Sequence, residues 1–279
     1  MKISGESLAD PIRGVIQYES RQLAAKGVVP HLVIFTLGDE SSWEVYVKRK
    51  LKWATILGIK ATLKNLQSAN EQEVLEEIKQ SNADPSVHGI IVQRPLPANI
   101  DKHAVIRQIL PEKDVDGFRP DSPFEVPVWL AVKLILSHIS VEYEDSLSSF
   151  LKSSKVTVIG KGETAGTPIA EGIKMSGGNP SIIDSKTSDA HSVLSDSDIV
   201  VSCVGKKVVE LESMHKGQIL IGVGTHIENG KLSGDFDEEQ AEQSGTIYTP
   251  TPGGIGPLNL TFLFQNVLQA AQFANQNTN

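Results

Sequence analysis

Val156-Thr-Val-Ile-Gly160-Lys-Gly162-Glu-Thr-Ala-Gly166-Thr-Pro-Ile-Ala-Glu-Gly-Ile173 carries an apolar run directly into a glycine turn and then into a helical pattern. Glycines at such a junction let backbone approach a ligand closely, and the amides and dipole of the following helix hold a pyrophosphate. Gly160, Lys161, Gly162 and Gly166 are therefore candidate phosphate-loop residues. The spacing is GxGxxxG rather than GxGxxG, and a plain glycine turn between strand and helix accounts for the same residues.

Working outward, PSIID, DIVVSCVG and QILIGVG are further strand-sized apolar runs separated by helical stretches. Toward the amino terminus, Leu8, Ile12, Val15, Ile16 and Leu23 fall at helical spacing before Gly27, and HLVIFT, IKATLKNL and GIIVQ read as strands. Alternating strands and helices mark parallel sheets covered on both faces. Pro120, Pro123 and Pro127 precede the helical WLAVKLILSHI, which puts a boundary near residue 121. The predicted fold is α/β with two domains, 1–121 plus 257–279 and 122–256, the second a Rossmann-like, doubly wound dinucleotide-binding domain. The helical 258–274 returns to the first domain, and the NQNTN tail is expected to be disordered.

A chain of 279 residues can build two cores. Its formal charge of -8, with basic residues concentrated only in the short KRKLK stretch, argues against nucleic acid and anionic membrane surfaces. The apolar runs are strand-sized, and the first residues lack an apolar leader pattern. A lone Cys203, read as a buried strand thiol, fits a reducing compartment, so a cytoplasmic location is expected. The histidines stand singly, without metal-ligand spacing, and a metal site is not expected.

Tyr46 and Lys50 stand four residues apart in a helical segment that ends near Gly58, so phenol and amine share a face. A surface pair has the same spacing. After the strand PSIID, Asp184 is placed to bind the ribose hydroxyls of NAD. Lys161, Ser185 and Lys186 suit the 2′-phosphate of NADP instead. A third reading makes Asp184 the N-cap of the next helix.

YVKRK, GIIVQRPLP, KDVDGF, GKGETAGTP and TPTPGGIGPLN occur in one order along nearly the whole chain. In that order they resemble the bifunctional methylenetetrahydrofolate dehydrogenase/cyclohydrolase family. The resemblance implies a homodimer that oxidises 5,10-methylenetetrahydrofolate with NADP and hydrolyses the methenyl product to 10-formyltetrahydrofolate. It implies that Lys50 is the catalytic lysine, Tyr46 the aromatic stacked on folate, Gln93 the amide holding the lysine and Asp116 the acid at the pterin. Pro252, Gly253 and Gly254 would line the folate, although a structural turn explains the glycines too. Ser185 and Thr225 would join the glycine loop around the cofactor. A free lysine, with a pKa near ~10.4, is almost wholly charged at neutral pH, so this chemistry needs it lowered by burial.

Several positions depart from the family pattern: Pro127-Val128-Trp129-Leu130, Trp43 beside Ser42, Ile221-Gly222-Val223-Gly224-Thr225, and Asn259. They cluster on the nicotinamide side, where a bulky Trp129 would fill space. Cyclohydrolase activity alone, or a folate- or nucleotide-binding homologue without catalysis, therefore stays open. A short-chain dehydrogenase also pairs Tyr-x-x-x-Lys with a glycine loop, but there the loop comes first.

Overall fold

The structure is a computed structural model, and residues 1–38, 43–209 and 214–278 are the ones described. Contacts divide the chain into two compact units, 10–127 with 260–279, and 1–9 with 128–259.

The first unit contains most of α1 (Gly5–Ala25), then β1 (His31–Thr36), α2 (Glu44–Leu57), β2 (Lys60–Asn65), α3 (Glu71–Ala83), β3 (Gly89–Val92) and α4 (Lys102–Gln108). Its sheet is parallel in the order β2-β1-β3, with Leu32 opposite both Ala61 and Gly89. Every residue of central β1 is buried, which is why HLVIFT reads as a continuous apolar run rather than an alternating one. Gly58 ends α2 in the left-handed conformation (φ 74°), where its N–H bonds back to Ala54 and Thr55. Asn70 and Glu73 form a reciprocal capping box that starts α3. The last helix, α10, spans Ile255–Thr278 and supplies Phe264, Val267 and Leu268 to the core around Leu32, Ile34 and Ile91. Each such burial contributes roughly 1.5–3 kcal/mol.

The second unit contains α5 (Pro127–Glu142) after its first residue, α6 (Leu147–Ser153), β4 (Val156–Ile159), α7 (Gly166–Met175), β5 (Ser181–Ile183) and α8 (Ala190–Ser195). It continues with β6 (Ile199–Ser202), β7 (Ile219–Gly222), β8 (His226–Glu228), β9 (Lys231–Ser233), α9 (Glu238–Gln243) and β10 (Ile247–Tyr248). The parallel order β10-β7-β6-β4-β5 reverses direction at β4, leaving a switch point between β4 and β6. The two-domain α/β fold with a doubly wound sheet is present.

Several details differ from the sequence reading, among them the boundaries, which fall after 127 and 259 rather than after 121 and 256. Residues 1–9 group with the second unit because the Ile3 amide donates to the Tyr248 carbonyl and the Tyr248 amide to the Met1 carbonyl, extending the sheet at β10. Residues 275–278, expected to be disordered, continue α10. Cys203 lies just past β6 and is half-buried rather than a buried strand thiol. A hairpin, β8–β9, turns at Asn229 (φ 52°) and Gly230 (φ 74°).

Candidate active site

In the first unit, α2 presents Tyr46 and Lys50, while Gln93 continues from the carboxyl end of β3, its amide donating to the Phe35 carbonyl at 2.8 Å. The Lys50 Nζ donates to Gln93 Oε1 at 2.5 Å. Gln93 Nε2 donates to the Arg94 carbonyl at 2.9 Å, so the oxygen of the amide faces the lysine. Burial pushes the Lys50 pKa down, and the charge of Asp116 acts the other way. Asp116 is pushed up by burial and held back by Lys50 and Arg94. These are two groups of opposite sign, each shifted toward neutrality by desolvation. Tyr46 is 46% exposed, which leaves phenol surface open to a flat ligand.

Asp116 is fixed by its neighbours. A Cβ on Gly117 would lie 2.5 Å from the Phe124 carbonyl oxygen, and Gly117 has φ 69°, so only glycine makes this turn comfortably. From α10, Asn266 Nδ2 donates to the carbonyls of Val115 (2.9 Å) and Glu125 (3.1 Å), pinning the segment from both ends. Asp114 is fully buried, and burial pushes its pKa up to about 6, opposed by the Arg119 amide it accepts at 2.8 Å. Asn266 does not stand out in the sequence, and Asp114 is visible there only as part of KDVDGF. Trp43, one of the positions that depart from the family pattern, is buried with Val47. Ser42 lies outside the described residues.

In the second unit, Gly160 follows β4 with φ 99°, and a Cβ on Gly166 would stand 2.1 Å from the Gly160 carbonyl oxygen. Those two glycines are required by the loop's own packing. Gly162 differs: a Cβ there would meet nothing within 4 Å, which leaves the turn open on that side. Lys161 Nζ reaches Asp184 Oδ2 at 2.8 Å, and Asp184 Oδ1 accepts the Lys186 amide at 2.9 Å. Those bonds hold the Asp184 carboxyl below the usual range. Asp184 is therefore engaged with lysine and is not the cap of α8, whose N-cap is Asp189. Ser185, Lys186 and Thr225 are exposed. A glycine cradle, an open turn, the Lys161 ammonium and the exposed Lys186 next to Asp184 fit a dinucleotide carrying an extra phosphate.

Trp129 is 5% exposed and packs on Gly172 of α7, whose added Cβ would lie 2.2 Å from the indole. Pro252 follows a cis peptide and is exposed, and Gly253 has φ 107°. A Cβ on Gly5 would lie 1.9 Å from the Gly254 carbonyl oxygen, so tight packing of α1 on this turn requires small residues by itself.

A doubly wound unit with a glycine turn at its switch side, and a separate α/β unit bearing a desolvated lysine, define a two-domain dinucleotide-dependent enzyme. The chain belongs to the tetrahydrofolate dehydrogenase/cyclohydrolase family: residues 3–116 match its catalytic domain and residues 141–275 its NAD(P)-binding domain. Bifunctional protein FolD of Macrococcus caseolyticus is 34% identical over 285 residues, covering 98% of each chain. That of Geobacillus thermodenitrificans is 35% identical over 274 residues, covering 97% of this chain and 96% of the relative. The crystal structure of the bifunctional FolD enzyme from Campylobacter jejuni superimposes with a TM-score of 0.90 at 29% identity, covering 98% of this chain and 99% of that one. FolD of Trypanosoma brucei, solved with NADP and an inhibitor, gives 0.90 at 28% identity, covering 99% and 98%.

Proposed function

We propose that this chain oxidises 5,10-methylenetetrahydrofolate with NADP and hydrolyses the methenyl product to 10-formyltetrahydrofolate, with Lys50 handling the proton of the hydrolytic step. The observation that carries this is the desolvated Lys50 amine held by the Gln93 amide oxygen at 2.5 Å. A neutral fraction of that amine takes a proton from the water attacking the methenyl carbon, and the ring opening that follows needs a proton returned to nitrogen. Gln93 orients the amine without adding the negative charge that would fix it as ammonium. Asp116 accepts N–H donors of the pterin, and Tyr46 offers its ring to a flat face of the substrate.

When bound, NADP supplies the hydride acceptor. Gly160, Lys161, Gly162 and Gly166 would hold its pyrophosphate side, Ser185 with the lysines its 2′-phosphate, and Thr225 the opposite end. Because the Lys161 ammonium and the Lys186 backbone amide each engage one Asp184 oxygen, that carboxylate is poorly placed to accept a ribose diol, which favours NADP over NAD. Residues 10–127 with 260–279 serve the folate in this reading and include Lys50, Gln93 and Asp116. In this reading, which takes its oligomeric state from the family resemblance and its compartment from the lone Cys203, the enzyme works as a homodimer in the cytoplasm. Among the described residues no helix is long and apolar enough to cross a membrane.

A spectrophotometric assay of both steps, with NADP and NAD in parallel, tests the reading. Wild-type protein reduces NADP and hydrolyses methenyltetrahydrofolate, and Lys50→Ala abolishes the hydrolysis. Full hydrolytic turnover in that variant removes Lys50 from the role given to it.

A further inference from the structure

Asp235, two residues beyond β9, is fully buried. Its Oδ1 accepts the amides of Gly205 (2.7 Å) and Lys206 (3.1 Å), and its Oδ2 accepts the Val204 amide (3.1 Å) and the Ser202 hydroxyl (2.7 Å). A carboxylate offers about four lone-pair sites, and these four donors fill them. Its backbone carbonyl also accepts the Val208 amide at 3.0 Å, continuing the grip along the same loop. On the opposite side, a Cβ on Gly224 would lie 2.4 Å from both carboxylate oxygens and 2.2 Å from the Gly205 nitrogen. One on Gly205 would lie 3.2 Å from the Thr225 carbonyl oxygen. A single buried acid thus bonds the segment leaving β6 and packs directly against Gly224 in the segment leaving β7.

Both segments start at carboxyl ends of strands on the β6 side of the switch point. The β6 segment also borders the glycine turn, since a Cβ on Gly160 would lie 3.3 Å from the Cys203 carbonyl oxygen. In a doubly wound sheet the pyrophosphate sits at that turn, with the adenosine ribose at the end of the next strand, here β5. The segments after β6 and β7 flank the other half of a dinucleotide.

We propose that Asp235 is a positioning residue for the nicotinamide half of the cofactor, holding Val204–Lys206 and Gly224–Thr225 as one preset wall. This rests on the NADP-binding reading above. Calorimetric titration with NADP and with 2′,5′-ADP, which lacks the nicotinamide nucleotide, isolates that half. Asp235→Asn exchanges two acceptor oxygens for one and leaves loop amides unpaired, so NADP affinity falls about 10-fold or more while 2′,5′-ADP affinity changes less than about 2-fold. Equal losses for both ligands, or no loss for either, overturn the proposal. If Asp235→Asn does not fold, Ser202→Ala, which removes one donor and keeps the carboxylate, decides the matter. A loss of about 3-fold confined to NADP supports the proposal, and unchanged NADP binding overturns it. Wild-type protein that binds 2′,5′-ADP and NADP establishes the cofactor reading separately; binding of neither sinks that reading and the proposal with it.

Discussion

Lys50 Nζ lies 2.5 Å from Gln93 Oε1, and the Gln93 nitrogen is occupied by the Arg94 carbonyl, so the lysine meets a neutral acceptor that cannot flip without losing a second bond. The neutrality of that acceptor matters as much as its position. Replacing it with a carboxylate of nearly the same shape, Gln93→Glu, opposes the desolvation that lowers the lysine and returns it toward full charge at pH 7. Methenyl hydrolysis then falls about 10-fold or more at pH 7, and its pH–rate profile moves upward by about one unit. An unshifted profile would show that the lysine's protonation state does not limit the step.

Asp114 makes the opposite kind of prediction, because it is a buried acid whose pKa rises from 3.8 to about 6. The folded protein keeps a proton there that the unfolded chain has already released, so this group's contribution to stability falls as pH rises from about 4 to about 6. Above that window the full penalty of roughly 3 kcal/mol is present. Asp114→Asn keeps an oxygen for the Arg119 amide and removes the charge. Urea denaturation should find the variant about 1–3 kcal/mol more stable than wild type at pH 7, with the gap closing near pH 4. A gap independent of pH would mean that Asp114 has the same proton affinity in the folded and unfolded chain.

What the sequence disclosed, and what it withheld, follows the range of the forces involved. HLVIFT marks β1 at both ends because burial on two faces demands an unbroken apolar run, and Gly58 marks the end of α2 because its φ of 74° suits glycine. The glycine turn after β4 was legible for the same local reason. Tyr46 and Lys50 were visible as a spaced pair, but Gln93 and Asp116 could be joined to them only through family resemblance, since pairing across 43 residues leaves no periodic trace. Asn266 and Asp235 were missed because their partners are mainly backbone groups, which every residue carries. The Asn229-Gly230 signal of the β8–β9 hairpin was present and unused. Residues 1–3 join the sheet at β10 by backbone bonds alone, so their place in the second unit had no side-chain signature.

Trp129 and Gly172 give the last prediction, because each explains the other. The indole occupies the space where a Cβ on residue 172 would stand, 2.2 Å from its ring atoms, and both residues are buried. Gly172→Ala therefore forces the ring or α7 to move, destabilising the protein by about 1–3 kcal/mol despite alanine's higher helix propensity. In a Trp129→Ala background the obstruction is gone, and the same substitution gains the propensity difference of up to about 1 kcal/mol. The sign of the effect thus reverses between the two backgrounds, giving a coupling energy of about 2 kcal/mol or more in a double-mutant cycle followed by urea denaturation and far-UV circular dichroism. Strictly additive effects would place the indole somewhere other than against α7.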